Sequence, residues 1–201
     1  MKSPELVVID NSGANLASVM AAFDRLGVRA QLSAEPRRIK AAQRVVLPGV
    51  GAAAHAMALL KRLELAELIP TLTQPVLGIC LGMQLLMRYS HEGDTQTLGV
   101  MDADVEALTA SVEFPAPHMG WNQLEPRSAS PLWRGLSAGD YVYFVHGYGV
   151  RPMAHTSATV RHGEVWSAAV EKDNFCGLQF HPERSSAVGA KVLSNFLCWN
   201  P

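Results

Sequence analysis

A chain of 201 residues, 17% charged and 48% aliphatic or aromatic, can bury a core of its own and is too apolar for a solvated disordered tail. Its 17 Lys and Arg against 18 Asp and Glu exclude the strongly basic face of a nucleic-acid binder. No run approaches the roughly 20 apolar residues that span a bilayer, and Cys80, Cys176 and Cys198 are too scattered for a zinc knuckle or a CxxC, which reads as a reducing cytoplasm.

The opening MKSPELVVIDNSG lacks the apolar core of a signal peptide, because its VVI run stops at Asp10. Residues 6–9 predict a buried strand followed by a turn over 10–13. From 15 to 26, Leu16, Val19, Met20, Phe23 and Leu26 recur at helical spacing and stop at Gly27. Strands are predicted over 28–32 and 44–47, and after PGVG (48–51) an alanine-rich helix over 52–63, with a further helical piece to 69. Residues 75–79 predict another strand and 81–89 another helix. Strand–helix alternation of this kind implies a parallel sheet with helices on its faces. Beyond residue 100 the pattern changes to short strands, 141–145, 158–160, 165–170 and 176–180, between Gly, Pro and Ser clusters. An amphipathic helix over 186–199 closes the chain. With no repeat or linker, one domain over 1–201 is expected.

Chemistry concentrates in three stretches. In PVLGICLGMQLL (75–86), Cys80 sits where a buried strand hands over to a helix, with Gly78 and Gly82 two residues to either side. A nucleophile on such a turn stands above the sheet edge, its flanking glycines allow a tight backbone approach, and the helix N-terminus favours a thiolate. The N–H of Leu81 is then placed to meet a developing oxyanion. In GLQFHPERS (177–185), Pro182 holds His181 extended, and Glu183, two residues on, can orient its imidazole. Cys80, His181 and Glu183 thus fit the roles of nucleophile, base and orienter. Gly49, Val50 and Gly51 form a glycine-rich turn whose peptide N–H groups can supply a second oxyanion donor. Each stretch alone has a plainer meaning: a lone cysteine in an apolar run is more often packing than chemistry, a histidine before proline is commonly structural, and PGVG is a turn without the Lys and Ser or Thr of a P-loop. Their combination on one α/β scaffold favours catalysis.

LPGVGA, GICLGMQLL and QFHPERS resemble the oxyanion strand, nucleophile elbow and His-x-Glu ending of the class I (triad) glutamine amidotransferases, and the likeness runs the whole chain. It implies that family's α/β fold, a central largely parallel sheet flanked by helices with additional antiparallel strands in the second half. DNSGANLASV, PHMGWNQL, YFVHGY and KDNFCGLQFHPERS are most similar to members that serve histidine biosynthesis. Relatives that serve anthranilate or aminodeoxychorismate synthesis usually have His where Met83 stands. By the resemblance, Cys80 would form a glutamyl thioester and release ammonia, and His181 would activate water to free glutamate. The ammonia would pass through the barrel of a separate cyclase subunit, a heterodimer partner that 201 residues leave no room to encode. No cofactor and no metal is implied. Gly51 and Gln84 would hold glutamine, helped by the backbone of Gly147 and Tyr148; the family commonly has Ser or Thr where this chain has Gly147. Asn11, Asn15, Met119 and Trp121 would face the cyclase, although Trp121 also suits a core and the asparagines also suit a helix cap or turn. The isolated chain is expected to be nearly inactive until the Gly49–Val50 peptide turns its N–H toward the oxyanion.

Overall fold

A computed structural model describes residues 5–11 and 15–201. In chain order the elements are β1 (Leu6–Ile9), α1 (Leu16–Arg25), β2 (Gln31–Ser33), α2 (Pro36–Ala41), β3 (Arg44–Leu47), α3 (Ala53–Arg62), β4 (Val76–Ile79), α4 (Leu81–Leu85) and β5 (Met87–Ser90). There follow β6 (Thr95–Gln96), β7 (Met101–Ala107), β8 (His118–Gln123), β9 (Glu125–Pro126), β10 (Tyr141–His146), β11 (Tyr148–Val150), β12 (Thr156–His162), β13 (Glu164–Lys172), β14 (Phe175–Leu178) and α5 (Ser186–Cys198).

The central sheet runs β2-β1-β3-β4-β14-β13-β12-β9. From β2 to β14 neighbours are parallel, and from β14 to β9 they are antiparallel. Period-2 alternation sends Leu6, Val8, Val46, Leu77 and Ile79 to one face, where they meet Val19 and Phe23 of α1 and Val192 and Phe196 of α5. Val7, Ile9, Val45, Leu47 and Val76 go to the other, against Ile39 of α2, Met57 and Leu60 of α3 and Met83 of α4. Both faces are covered, so the parallel strands are continuous apolar runs rather than alternating ones, which is why β1 and β3 are legible residue by residue and β4 to within one residue. Arg44, buried at the start of β3, holds the end of the chain: its Nη1 donates to the Trp199 carbonyl at 2.6 Å.

Several elements differ from the sequence expectation. The helix predicted over 81–89 stops at Leu85, because Met87–Ser90 pairs with β7 in a second, four-stranded sheet, β11-β7-β5-β6. Strand β2 begins three residues later than expected, and the helical piece before 69 is turns plus a single 3-10 turn, Ile69–Thr71. Helix α2 was not foreseen: Pro36 opens it in the first turn, where proline is welcome, but it buries only Ile39, too little for a readable apolar stripe. Of the turn expected over 10–13, residues 12 and 13 lie outside the described residues. Strand β8 was also missed; only its alternate residues are inward, and it pairs with β10 in a separate two-stranded ribbon.

Candidate active site

Parallel strands place all their carboxyl ends on one edge, and in open α/β sheets ligands bind there. Here four adjacent strands each deliver part of one site at that edge: β1 leads to Asn11, β3 to the 48–51 turn, β4 to Cys80, and β14 to Gln179 and His181. They surround a cavity of about 620 Å³ whose walls include Val50, Gly51, Cys80, Leu81, Gln84, Gly147, Tyr148 and His181. That size suits a small-molecule substrate.

Cys80 stands between β4 and α4 with φ 53 and ψ −111, a backbone conformation that costs a non-glycine residue about 1–3 kcal/mol and persists only when its surroundings impose it. The surroundings are tight. Its N–H donates to the Leu178 carbonyl of β14 at 2.7 Å, and a Cβ on Gly82 would lie 1.8 Å from the Leu47 carbonyl oxygen. A Cβ on Gly78 would meet the Gly82 carbonyl at 2.7 Å, and one on Gly49 the Gly82 nitrogen at 3.0 Å. The flanking glycines therefore serve clearance rather than torsion; the cysteine itself takes the strained φ. The strained turn leaves Cys80 only 8% exposed, on the cavity wall. As the first helical residue of α4, Leu81 has an N–H with no acceptor inside the helix.

His181 is extended as Pro182 requires, with φ −96 and ψ 96. Its N–H donates to the Tyr143 carbonyl at 2.9 Å and its own carbonyl accepts from the Ser185 hydroxyl at 2.7 Å, which pins the backbone to β10. Its Nδ1 lies 2.7 Å from Oε1 of Glu183, a fully buried carboxylate that also accepts from Asn15 Nδ2 at 2.5 Å. The expected pairing is present, but its route differs: Glu183 lies in a 3-10 turn, Pro182–Arg184, rather than along an extended strand. The imidazole Nε2 is buried and has no hydrogen-bond partner among the described residues. Burial by itself pushes the His181 pKa down, but the nearby Cys80 sulfur and then the Glu183 carboxylate outweigh it and raise the ring to about 10. Beside a Cys80 thiolate the ring therefore favours its protonated form, which has a proton to give.

The four residues expected to face a partner separate into two pairs. Asn11 is buried and donates through Nδ2 to the Pro48 carbonyl at 2.6 Å, bracing the turn that carries Val50. Asn15 occupies the N-cap position of α1 with φ 81 but makes no capping bond through its side chain, which reaches Glu183 instead. Met119 and Trp121, by contrast, are 64% and 52% exposed on one side of β8, so Trp121 is not a core residue. Trp121 meets Tyr143 edge to face at 6.0 Å, and the Arg184 guanidinium lies over the Tyr143 ring at 5.0 Å.

Gln84 is buried, and its Nε2 donates to the Tyr148 carbonyl at 2.8 Å and to Gln179 Oε1 at 3.0 Å. At Gly147 an added Cβ would meet nothing nearer than Pro117 at 4.0 Å, so the Ser or Thr that the resemblance leads one to expect there would fit. What the sequence did not reveal is a string of inward histidines behind the cavity wall. His146 Nδ1 must donate to the Tyr148 carbonyl (2.8 Å), which leaves Nε2 of the neutral ring to accept from His118 Nδ1 (3.1 Å). His118 Nε2 then accepts from Asn122 Nδ2 at 3.1 Å, so every tautomer is fixed by an obligatory acceptor at one end. The signal available was the period-2 spacing of His118, Gly120 and Asn122, unreadable before β8 was recognised.

Burial, with the neighbouring histidines adding to it, lowers His118 to about 3; burial likewise lowers His146 to about 4. Both are neutral in the fold over a range where the unfolded chain, at about 6.5, binds protons, so stability is complete above pH 6.5 and falls as the pH drops toward 4. Thermal denaturation is expected to lose up to about 1.4 kcal/mol per pH unit for each histidine in that window, and a His118→Asn, His146→Asn double variant should flatten the slope. His181 has the opposite sign: its contribution is present below pH 6.5 and is lost as the pH rises toward 10.

The family model of the class I glutamine amidotransferases matches residues 7–199. Among curated proteins, the imidazole glycerol phosphate synthase subunit HisH of Shewanella loihica is 49% identical over 210 aligned positions, covering 100% of this chain and 93% of that protein. The subunit of the same name from Yersinia pseudotuberculosis is 50% identical, over 96% of this chain and 98% of its own. Among solved structures, one described as a glutamine amidotransferase superposes with a TM-score of 0.73 at 19% identity, covering 95% and 96% of the two chains. A glutamine amidotransferase from Thermotoga maritima gives 0.64 at 19%, covering 98% of this chain and 83% of that one. These two likenesses speak for the fold.

Proposed function

The chain belongs to the class I glutamine amidotransferase family, and from that premise we propose that it is the glutaminase subunit of an imidazole glycerol phosphate synthase. The observation that carries the chemistry is the meeting, at one sheet edge, of the strained Cys80 with the imidazolium of His181 backed by Glu183. The name shared by relatives at about half identity over nearly the whole chain supports the choice of synthase.

In this reading the Cys80 sulfur attacks the side-chain amide carbon of glutamine held by Gly51, Gln84 and the backbone of Gly147 and Tyr148. The N–H of Leu81 and that of Val50, beyond Gly49, take the oxyanion. As the C–N bond breaks, His181 gives its Nε2 proton to the departing nitrogen, which leaves as ammonia, and the acyl group stays on sulfur as a thioester. The now neutral ring takes a proton from water, and the resulting hydroxide releases glutamate. A cyclase subunit then consumes the ammonia, giving imidazole glycerol phosphate and an aminoimidazole carboxamide ribotide. Exposed Met119 and Trp121 suit the partner surface: they flank Gly120 on β8, and Met119 is paired with Val145, whose carbonyl lies 3.8 Å from the Cys80 sulfur. Asn11 and Asn15 reach such a partner only indirectly, through the turn and the carboxylate that they brace. The whole chain acts as one domain in the cytoplasm; among the described residues no helix is long and apolar enough to cross a membrane.

The test is glutamine hydrolysis with and without the cyclase subunit and its ribonucleotide ligand. Hydrolysis by the isolated chain is expected to be roughly a hundred- to a thousand-fold slower, the cost of one missing oxyanion donor. Equal rates would overturn the dependence on a partner, and stimulation by a chorismate-using synthase instead would reassign the acceptor.

A further inference from the structure

The Cys80 sulfur has two neighbours besides His181, and they pull in opposite directions. The Val145 carbonyl at 3.8 Å can only accept, so it favours the thiol S–H. Nε2 of Gln179 lies at 3.8 Å from the sulfur and donates toward it. Gln179 is wholly buried, two residues before His181, where β14 ends beside β4.

The orientation of the Gln179 amide follows from its surroundings. The Tyr148 carbonyl, an acceptor only, takes one hydrogen from Gln84 Nε2, so that nitrogen is placed beyond doubt by the bond it makes. The second hydrogen of the same nitrogen points at Gln179, whose near atom must then be the oxygen. The nitrogen of Gln179 is thereby turned to the sulfur. The Tyr148 carbonyl itself is held from the other side by His146, so the relay Tyr148–Gln84–Gln179–Cys80 starts from a fixed point.

We propose that Gln179 is a further catalytic residue of this site: its buried amide donates to the Cys80 sulfur, favours the thiolate over the thiol, and is locked in that orientation by Gln84. The proposal rests on the reading of Cys80 as the nucleophile. A neutral donor in a water-poor site stabilises a developing negative charge without adding a countercharge that would have to be displaced when glutamine binds. It also gives Gln84 a second task beyond lining the pocket: without Gln84 the Gln179 amide is free to turn its oxygen to the sulfur, which would repel a thiolate. The charged or titratable groups around Cys80 are His181 with Glu183 behind it, His146, and Tyr148, Glu92 and Arg184 on the cavity wall; Gln179 is neutral and distinct from all of them.

Carboxamidomethylation of Cys80 by iodoacetamide in the full-length chain, read by mass on the Cys80 peptide so that exposed Cys198 does not interfere, tests this between pH 5 and 10. Gln179→Met is expected to slow labelling about tenfold at pH 7 and to move its midpoint up by about one pH unit, with the high-pH plateau unchanged. Gln179→Asn, which keeps a donor on a shorter arm, should fall between the two. A purely structural role would lower the melting temperature or the plateau and leave the midpoint in place. An unchanged midpoint in a Gln179→Met chain of native melting temperature overturns the proposal. Should that variant not fold, Gln84→Met decides in the same way, an upward shift supporting the relay and no shift refuting it. If the native chain labels normally yet hydrolyses no glutamine beside its cyclase, the reading of Cys80 as nucleophile fails, whatever the variants show.

Discussion

Cys80→Ala is expected to remove glutamine-dependent synthesis by the subunit pair and to leave ammonia-dependent synthesis untouched. Without the sulfur there is no thioester, and His181, whose Nδ1 is engaged by the buried Glu183 carboxylate, is held as a proton carrier rather than as a replacement nucleophile. A fall of roughly 10⁴- to 10⁶-fold in glutamine turnover is the scale for deleting the nucleophile of a triad whose members act as a unit. The fold should tolerate the change, since Cys80 lies at the cavity wall and alanine can take the same backbone as well as cysteine does. In the proposed pair, added ammonia would reach the cyclase without the glutaminase step, so the ammonia-dependent rate is the internal control. Retention of glutamine-dependent synthesis would falsify the assignment of Cys80, and with it the role given to His181. Loss of both activities would point instead to failed assembly.

Gly82→Ala is the more severe change for the architecture, although it adds a single methyl group. The new Cβ would sit 1.8 Å from the carbonyl oxygen of Leu47, at the end of β3, so either α4 or β3 has to move. Neither can yield cheaply: Leu47, Leu81, Met83 and Leu85 are all buried in the same core cluster. Overpacking against side chains typically costs about 1–3 kcal/mol; a clash with buried backbone should lie at or above the top of that range. For a chain of this length about 3 kcal/mol corresponds to a melting temperature lowered by roughly 6–12 °C. Relaxation by even 1 Å would also displace Cys80, at the N-terminus of α4, from His181, at a cost of about a hundredfold in turnover. Thermal denaturation and glutamine hydrolysis should therefore fall together. A native melting temperature would mean that α4 does not approach β3 as closely as described.

The two experiments probe different origins of the same site. Cys80 could be singled out in the sequence because GICLG, HPE and PGVG each bring chemistry that local physics constrains: a proline fixes the residue before it, and a glycine permits an approach nothing else allows. The parallel strands were equally legible, since a strand covered on both faces has to be apolar throughout, as Leu6–Ile9, Arg44–Leu47 and Val76–Ile79 nearly are. Where one face is open the signal weakens. β8 carries Met119 and Trp121 outward and His118 inward, a pattern that reads as noise until its partner β10 is known.

What the sequence by itself determined is the scaffold and the identity of the reacting groups, because burial and backbone restriction act over a few neighbouring residues. Tertiary structure alone decided how those groups are held. Glu183 reaches His181 through a 3-10 turn, Asn15 crosses from α1 to the same carboxylate, and Gln179 and Gln84, 95 residues apart, meet beside the sulfur. Hydrogen bonds between residues so distant in the chain leave no periodicity and no spacing to read. They exist because four parallel strands end at one edge, and only the folded sheet brings those ends together.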